Sequence, residues 1–429
     1  MLGQYRRDLP YYVLAKGSAV VSWVFIVWFL THRLTPQEYG EYALLFALLT
    51  LMTIVTTSWL NSSIYRYLPE HAEAGDLATF ESVIFRLTAI TVVVGVAAFA
   101  AVVGIMLALG IVSAPPPTLV SVAVAFVLNC AFVLVNAYLS ARRSVRLFAT
   151  TSAGQVVLLA AGLWLVLDHV DNKTAVIFIV MALSYLPTLV LAGWRTARHP
   201  VPIAQKARSY LSYGLPLMLM SSATLVNMYG DQFLIRYFTS SAEVGLYSAN
   251  YLFAERSILS LASVMTVAYI PILFRLWEGG DPAGAYRFLW KIAFLLLAVL
   301  VPVEIVLFLF GDRIAAIFID PGFASANGII PIVGLATLFT QVASVFADVM
   351  TLQKRTLVLA VCYGLAAGVN VVLNMVFIPT FGYLSAAYAT LASSLFLLLL
   401  VLLMAQRYAG LVQYLRPHFL LPARQDFQK

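Results

Sequence analysis

Twelve apolar stretches, each long enough to cross a bilayer, fill nearly all of this 429-residue chain. That pattern rules out a water-soluble architecture. A hydrocarbon core of about 30 Å takes about 20 apolar residues in helical form. The stretches run 11–31, 39–60, 83–109, 119–139, 148–167, 174–194, 213–238, 244–273, 289–310, 328–352, 357–377 and 383–404. Each must be helical, because hydrocarbon offers no partner for a free backbone N–H or C=O. The runs also lack the apolar–polar alternation of a membrane β-barrel strand. The chain is therefore read as an all-α polytopic membrane protein of about 12 transmembrane helices. No connection between them is long enough for a soluble domain, so a nucleotide-driven pump would need a separate ATPase subunit.

The first stretch follows Tyr5-Arg6-Arg7 and lacks a small-x-small cleavage site, so it is expected to remain as a helix and not to be removed as a leader. The formal net charge of +7 is attributed to the positive-inside bias, and no nucleic-acid partner is expected. With the N-terminus placed in the cytoplasm, 21 of the 26 Lys and Arg residues fall on the inner side. Arg33, Lys173, Arg236 and Arg313 fall outside, and Arg256 lies within a span. This asymmetry places both termini in the cytoplasm and requires an even number of spans. Cys130 and Cys362 sit alone in separate spans and suggest neither a disulfide framework nor a metal site.

The chain also repeats itself. Glu38-Tyr39-Gly40-Glu41-Tyr42 follows the first span and Glu243-Val244-Gly245-Leu246-Tyr247 follows the seventh, 205 residues later. The same offset carries Gly75-Asp76 onto Gly280-Asp281 and Arg86 onto Lys291, and a slightly larger one carries Arg142-Arg143 onto Lys354-Arg355. Matches in the same order and topological position indicate duplication. The expected organisation is an N-lobe over 1–194, a proline-broken cytoplasmic linker over 195–209, a C-lobe over 210–408 and a cytoplasmic tail over 409–429. Six spans per half give both lobes the same orientation, related by an axis along the membrane normal, with a wet cavity between them. Two such lobes can rock, which points to transport and away from membrane enzymology. No Walker A, HExxH or GxSxG motif occurs, and the five histidines are scattered. Hence no catalytic site, no metal site and no cofactor is expected, beyond H+ or Na+ as a coupling ion.

Three motifs carry a resemblance. Leu34-Thr35-Pro36-Gln37-Glu38-Tyr39-Gly40-Glu41-Tyr42-Ala43, after the first span, resembles the signature of the polysaccharide flippases, the Wzx-type branch of the MATE-like MOP exporter superfamily. Tyr213-Gly214-Leu215-Pro216 through Asp231, followed by Val244-Gly245-Leu246-Tyr247-Ser248-Ala249, is similar to that family's seventh and eighth helices. Asn370-Val371-Val372-Leu373-Asn374 with Ile378-Pro379-Thr380-Phe381-Gly382 is similar to its eleventh. The chain has no room for the two additional helices usual in the lipid II flippase branch. The resemblance implies that a lipid-linked, usually undecaprenyl-pyrophosphate-bound, oligosaccharide moves from the cytoplasmic to the periplasmic leaflet of the bacterial inner membrane. Membrane lipids, and possible partners among polysaccharide polymerases and glycosyltransferases, follow from the same implication. A drug or metabolite/cation antiporter on the same fold is the alternative.

Charges inside spans are costly and are functional candidates by default. Asp231 is the first candidate for cation coupling, or else a helix-end residue facing headgroups. Asn227, four residues earlier, shares its face. Glu255 and Arg256 are adjacent in span eight and point about 100° apart, so they are not expected to pair, and each is expected to need its own partner or a wet cavity. Arg256 or Glu255 is expected to line the cavity, or else to be buried against polar groups of another helix; an arginine there could grip pyrophosphate bidentately. Tyr251 shares a face with Glu255. Asn374, which shares a face with Asn370, is assigned to substrate contact or to interhelical bonding. Lys16 and Arg66 are cavity cations or snorkelling groups near the inner boundary. Glu255, Glu304 and Asp348 complete the coupling candidates. At the repeat offset Asp231, Glu255 and Arg256 fall on Ile26, Thr50 and Leu51, so the fold itself does not demand these charges.

Overall fold

The structure is a computed structural model that describes residues 17–18, 21–142, 144–191 and 203–415. Lys16, with the rest of residues 1–16, and the tail from residue 416 lie outside the described residues. The described residues are helical throughout. Helix α1 is Val21–Thr31. The N-lobe continues with α2 (Pro36–Glu73), α3 (Leu77–Ala108), α4 (Pro116–Ala141), α5 (Val145–Val166) and α6 (Lys173–Leu191). The C-lobe comprises α7 (Ile203–Phe238), α8 (Ser241–Glu278), α9 (Pro282–Phe318), α10 (Ile330–Leu352), α11 (Thr356–Phe381) and α12 (Ser385–Ala409). Ten of these helices are long and apolar enough to cross a membrane. α7 is 36 residues long but too rich in polar side chains to stand among them.

The helix starts explain why the repeat is visible in the sequence. Thr35 caps α2: its hydroxyl accepts from the Glu38 N–H (3.3 Å), while the Glu38 carboxylate accepts from the Thr35 N–H (2.8 Å). Pro36 occupies the first turn, where its missing N–H costs nothing. Ser240 caps α8 in the same way, accepting from the Glu243 N–H at 3.3 Å. α2 and α8 each run 38 residues and begin 205 residues apart, at 36 and 241. α3 and α9 keep that offset (77 and 282), whereas α5 and α11 (145 and 356) are 211 apart. The difference enters between the starts of α9 and α11: α9 has 37 residues where α3 has 32, and a 3-10 segment, Pro321–Ile329, precedes α10. Lys354 lies beyond these elements, in keeping with its larger offset from Arg142.

The lobes meet along α2, which packs against both α7 and α8. It runs antiparallel to α7: Ala47 packs with Leu225 and Tyr229, and farther along, the Ser63 hydroxyl donates to the Tyr210 carbonyl (3.0 Å). At the other end α2 and α8 cross with their backbones in contact. A Cβ on Gly40 would overlap the Ser241 carbonyl, and one on Gly245 would overlap the Pro36 carbonyl. The contact is reciprocal, since Pro36 and Ser241, like Gly40 and Gly245, are repeat equivalents; this is the signature of an internal two-fold axis. The 3-10 segment reinforces the same end. Phe323 packs edge-on against Tyr39 (5.4 Å), the Asp320 N–H donates to the Thr31 hydroxyl (3.4 Å), and Asn250 donates to the Phe323 carbonyl (3.0 Å).

Three expectations change. The seam is not a wet cavity along its whole length, because small residues let the helices close it at the Gly40 end. The linker reaches no further than residue 202, since α7 starts at Ile203 directly after Pro202, and the sequence's polar 203–209 forms its first two turns. The tail does not leave the protein at 409: Leu411 is buried, and its carbonyl accepts from the Trp290 indole N–H (3.0 Å).

Gly40→Val should therefore destabilise the detergent-solubilised protein by about 1–3 kcal/mol, the cost of overpacking a tight contact. Gly104→Ala, whose Cβ meets nothing within 4 Å, should leave thermal unfolding, followed by tryptophan fluorescence, unchanged or slightly improved.

Candidate ion and anion sites

Asp231 lies wholly inside the C-lobe, with no exposed surface. Its Oδ2 accepts from the Tyr247 hydroxyl of α8 and the Thr390 hydroxyl of α12, both at 2.7 Å. Its Oδ1 accepts from Asn374 Nδ2 of α11, also at 2.7 Å. Around these donors runs a second layer. Asn374 Nδ2 also donates to Asn370 Oδ1 (3.1 Å), Asn370 Nδ2 donates to Thr390 (3.3 Å), and the Ser393 hydroxyl donates to Asn227 Oδ1 (3.1 Å). Four helices thus enclose one carboxylate with neutral partners. The hydroxyl protons can rotate, so the ring can serve a carboxylate or accommodate a cation. Asn374 Oδ1 is buried with no donor, an oxygen free to face such an ion. Among the described residues no group of three or more His, Cys, Asp or Glu side chains forms a metal cluster.

This geometry decides between the alternatives for Asp231: it is an interior group and does not face headgroups. It also decides between the alternatives for Asn374, which serves interhelical bonding and not substrate contact: it has no exposed surface and binds Asp231 directly. Its amide is drawn inward because an unpaired carboxylate at that depth would be costly. Asn227 is half-buried and accepts from Ser393.

The second site lies on α8. Ser260, one turn beyond Arg256, accepts a hydrogen bond from the Trp23 indole of α1 (3.2 Å). Arg256 therefore occupies the α8 face turned toward the other lobe. The expectation that Glu255 and Arg256 would not pair is corrected: Arg256 Nε lies 3.5 Å from Glu255 Oε2, although Arg256 also has its own partner in Tyr229. Long side chains bend back across the 100° that separates their Cβ directions. Glu255 is 7% exposed and Arg256 31% exposed, so the acid is sealed in the lobe while the base reaches open space. Tyr251, expected in the cavity, instead buries its ring 5.6 Å from that of Tyr247.

The remaining candidates lie apart. Arg66 is exposed near the far end of α2, its guanidinium over the Tyr213 ring (5.1 Å), as a snorkelling group would be. Asp348 of α10 accepts from the Tyr269 hydroxyl (2.8 Å), and Glu304 of α9 lies against Gly334 with Oε2 buried and unpaired. Neither joins Asp231. Sequence reasoning missed Tyr247, Thr390, Ser393 and Tyr229, which packs beside Arg256. The three-residue spacing of Thr390 and Ser393 on an otherwise apolar helix was the available signal. Where α1 meets α9, an apolar groove of about 440 Å³ is lined by Val21, Val24, Phe25, Trp28, Ile317 and Phe318.

Comparison with known proteins accords with this architecture. The lipid II flippase MurJ in an inward closed conformation superposes with a TM-score of 0.74 at 12% identity, covering 93% of this chain and 87% of that one. An inward-facing multidrug resistance MATE family transporter of the MOP superfamily superposes with a TM-score of 0.72 at 14% identity, covering 94% and 95%. At those identities the likeness establishes a shared fold. In sequence, an uncharacterized membrane protein of Methanocaldococcus jannaschii is 26% identical over 184 residues, which span 43% of this chain and 36% of that protein. Residues 9–277, well over half the chain, match the family model described as polysaccharide biosynthesis protein, and the chain belongs to that family.

Proposed function

We propose that the protein flips a lipid-linked oligosaccharide, carried on undecaprenyl pyrophosphate, from the cytoplasmic to the periplasmic leaflet of a bacterial inner membrane. Arg256 carries this reading: a guanidinium at mid-helix on the lobe seam, partly open, in a membrane protein of a polysaccharide-biosynthesis family. A sugar–pyrophosphate head cannot cross hydrocarbon unaided, and a fork of N–H donors matches phosphate oxygens. The head would travel in the seam while the polyprenyl chain stays in lipid. The apolar groove between α1 and α9 is compatible with such a lateral exit. The closed Gly40 end then represents the periplasmic side, with both termini cytoplasmic, and rocking of the lobes would expose the seam alternately.

Asp231 is the proposed coupling group. A single carboxylate inside a ring of hydroxyls and amides suits a proton or a monovalent cation, and α7 and α8, which hold it, also form the lobe seam. Binding of the ion within the C-lobe would bias how α7 and α8 sit against α2. Glycosyltransferases that build the oligosaccharide and a polymerase that consumes it are the expected functional partners.

Arg256→Ala should insert normally yet slow flipping of lipid-linked oligosaccharide in proteoliposomes by roughly 10- to 100-fold, matching about 1.5–3 kcal/mol for a charged hydrogen-bonded contact. Unchanged flipping removes Arg256 from the site. Asp231→Asn should abolish the dependence of flipping on an imposed proton or sodium gradient while leaving substrate binding in place, measured in the same vesicles. A reporter fused after Lys429 should be active only as a cytoplasmic fusion; a periplasmic signal refutes the orientation.

A further inference from the structure

We infer that Glu255 is a positioning residue, an internal counter-anion that orients the Arg256 guanidinium and occupies the place of the substrate's pyrophosphate while the seam is empty. The inference rests on the reading of Arg256 as the anion-binding group. Four observations support it.

First, the pair is close without being a hydrogen bond. Arg256 Nε and Glu255 Oε2 are 3.5 Å apart, and Nε has no hydrogen-bond partner. Such a contact neutralises charge but does not lock the guanidinium, so a better-aligned anion can replace it. Second, the contact is made at one edge. Nε is itself buried, so the exposed part of the Arg256 side chain lies elsewhere. An approaching phosphate meets the exposed terminal edge first and must draw the guanidinium away from Glu255 and from Tyr229, which also hydrogen-bonds it, to gain bidentate contact. Third, the two groups differ in access: Glu255 is sealed at 7% exposure and cannot itself reach a substrate, whereas Arg256 can. Fourth, among the described residues Glu255 is the carboxylate that acts on Arg256. Tyr229 of α7 and Tyr251 of α8 flank the pair. The α2 residues that pack around Tyr229 are Ala47, Leu51 and Ile54, all apolar. Asp231 lies farther into the C-lobe, held by its own ring of donors.

The physical consequence concerns release and selectivity. A lone arginine inside a membrane is expensive and would hold a pyrophosphate too tightly to let it leave. Glu255 relieves both problems, because substrate binding must then compete with an anion already in place. Competition favours a ligand with more than one negative charge over a monoanion or a neutral drug-like molecule. Glu255 is thus a selectivity element for pyrophosphate-linked cargo, acting through Arg256.

The test is titration of the purified full-length protein with inorganic pyrophosphate and, separately, with inorganic phosphate. Glu255→Gln should tighten pyrophosphate binding roughly tenfold, the scale of one partly desolvated charge pair, and should narrow the preference for pyrophosphate over phosphate. In flipping assays the same variant should lower KM and kcat together, since cargo is held and not released. Glu255→Asp, a conservative variant that retains the charge, should tighten binding less than Glu255→Gln; it also serves if the glutamine variant fails to fold. Equal or weaker pyrophosphate binding by a folded Glu255 variant overturns the inference and leaves Arg256 as the anion site. Wild-type binding retained by Arg256→Ala overturns the assignment of Arg256 as well.

Discussion

A polar group inside hydrocarbon must find its partner within the protein, and the interior of this molecule is organised by that constraint. Asp231 illustrates it most fully. Its carboxylate draws a tyrosine from α8, an asparagine from α11 and a threonine from α12, so three helices are pinned to α7 at one depth. The second layer of Asn370, Ser393 and Asn227 satisfies the first. Such networks are worth more in register than in stability, because a slip of one helix would leave a buried donor or acceptor unpaired. The C-lobe is therefore fixed internally by polar contacts, while much of its outer surface is apolar and exposed.

The two halves share a plan and diverge where chemistry enters. α2 and α8 have the same length, the same kind of N-cap and reciprocal glycine contacts, which together fix how the lobes meet at one end. Yet Ile26 stands where Asp231 does, and Thr50-Leu51 where Glu255-Arg256 do. The six-residue difference in offset is another asymmetry. In the C-lobe Asp320 and the 3-10 segment that follows it, Pro321–Ile329, reach across to Thr31 and Tyr39 of the N-lobe. One lobe thus carries the charged groups and the added seal, and the other supplies the apolar surface against which they act.

Much of this was legible in the sequence because bilayer thickness, capping signals and repeat offset act over short or regular distances. The helices, their number and the duplication could be read from apolar run length and from Thr35-Pro36-Gln37-Glu38 and its counterpart. The inter-lobe contact of Pro321–Ile329 was not legible, because nothing in that segment itself announces that Phe323 will meet Tyr39. Side-chain destinations were harder. For Asn374 the sequence leaves substrate contact and interhelical bonding open, because one helix alone shows which residues share a face but not what that face meets. The Glu255–Arg256 contact was excluded by Cβ directions, which govern short side chains better than long, flexible ones. The start of α7 was missed because its first turns are polar, and polarity was taken as a sign of linker.

Asp231 of α7 and Arg256 of α8 are both tied to α8, and this has mechanical meaning. Tyr247, Tyr251 and Glu255 follow one another at four-residue spacing along the buried face of α8, so Asp231, through Tyr247, and Arg256, through Glu255, are tied to the same rigid element. Tyr247 and Tyr251 are in ring contact at 5.6 Å, leaving no loose segment between them. A change at Asp231 that moved the Tyr247 hydroxyl would turn or shift α8 as a unit and carry Arg256 with it. Packed interfaces respond to such shifts by switching between arrangements rather than by deforming smoothly. Beyond Glu255 the buried residues of α8 shrink to Ile258, Ala262, Tyr269 and Leu273, the positions that face its own lobe. The helix is thus gripped on both sides at the Gly40 end and on one side beyond Arg256, and that is the geometry in which a rotation set at Asp231 is felt at Arg256.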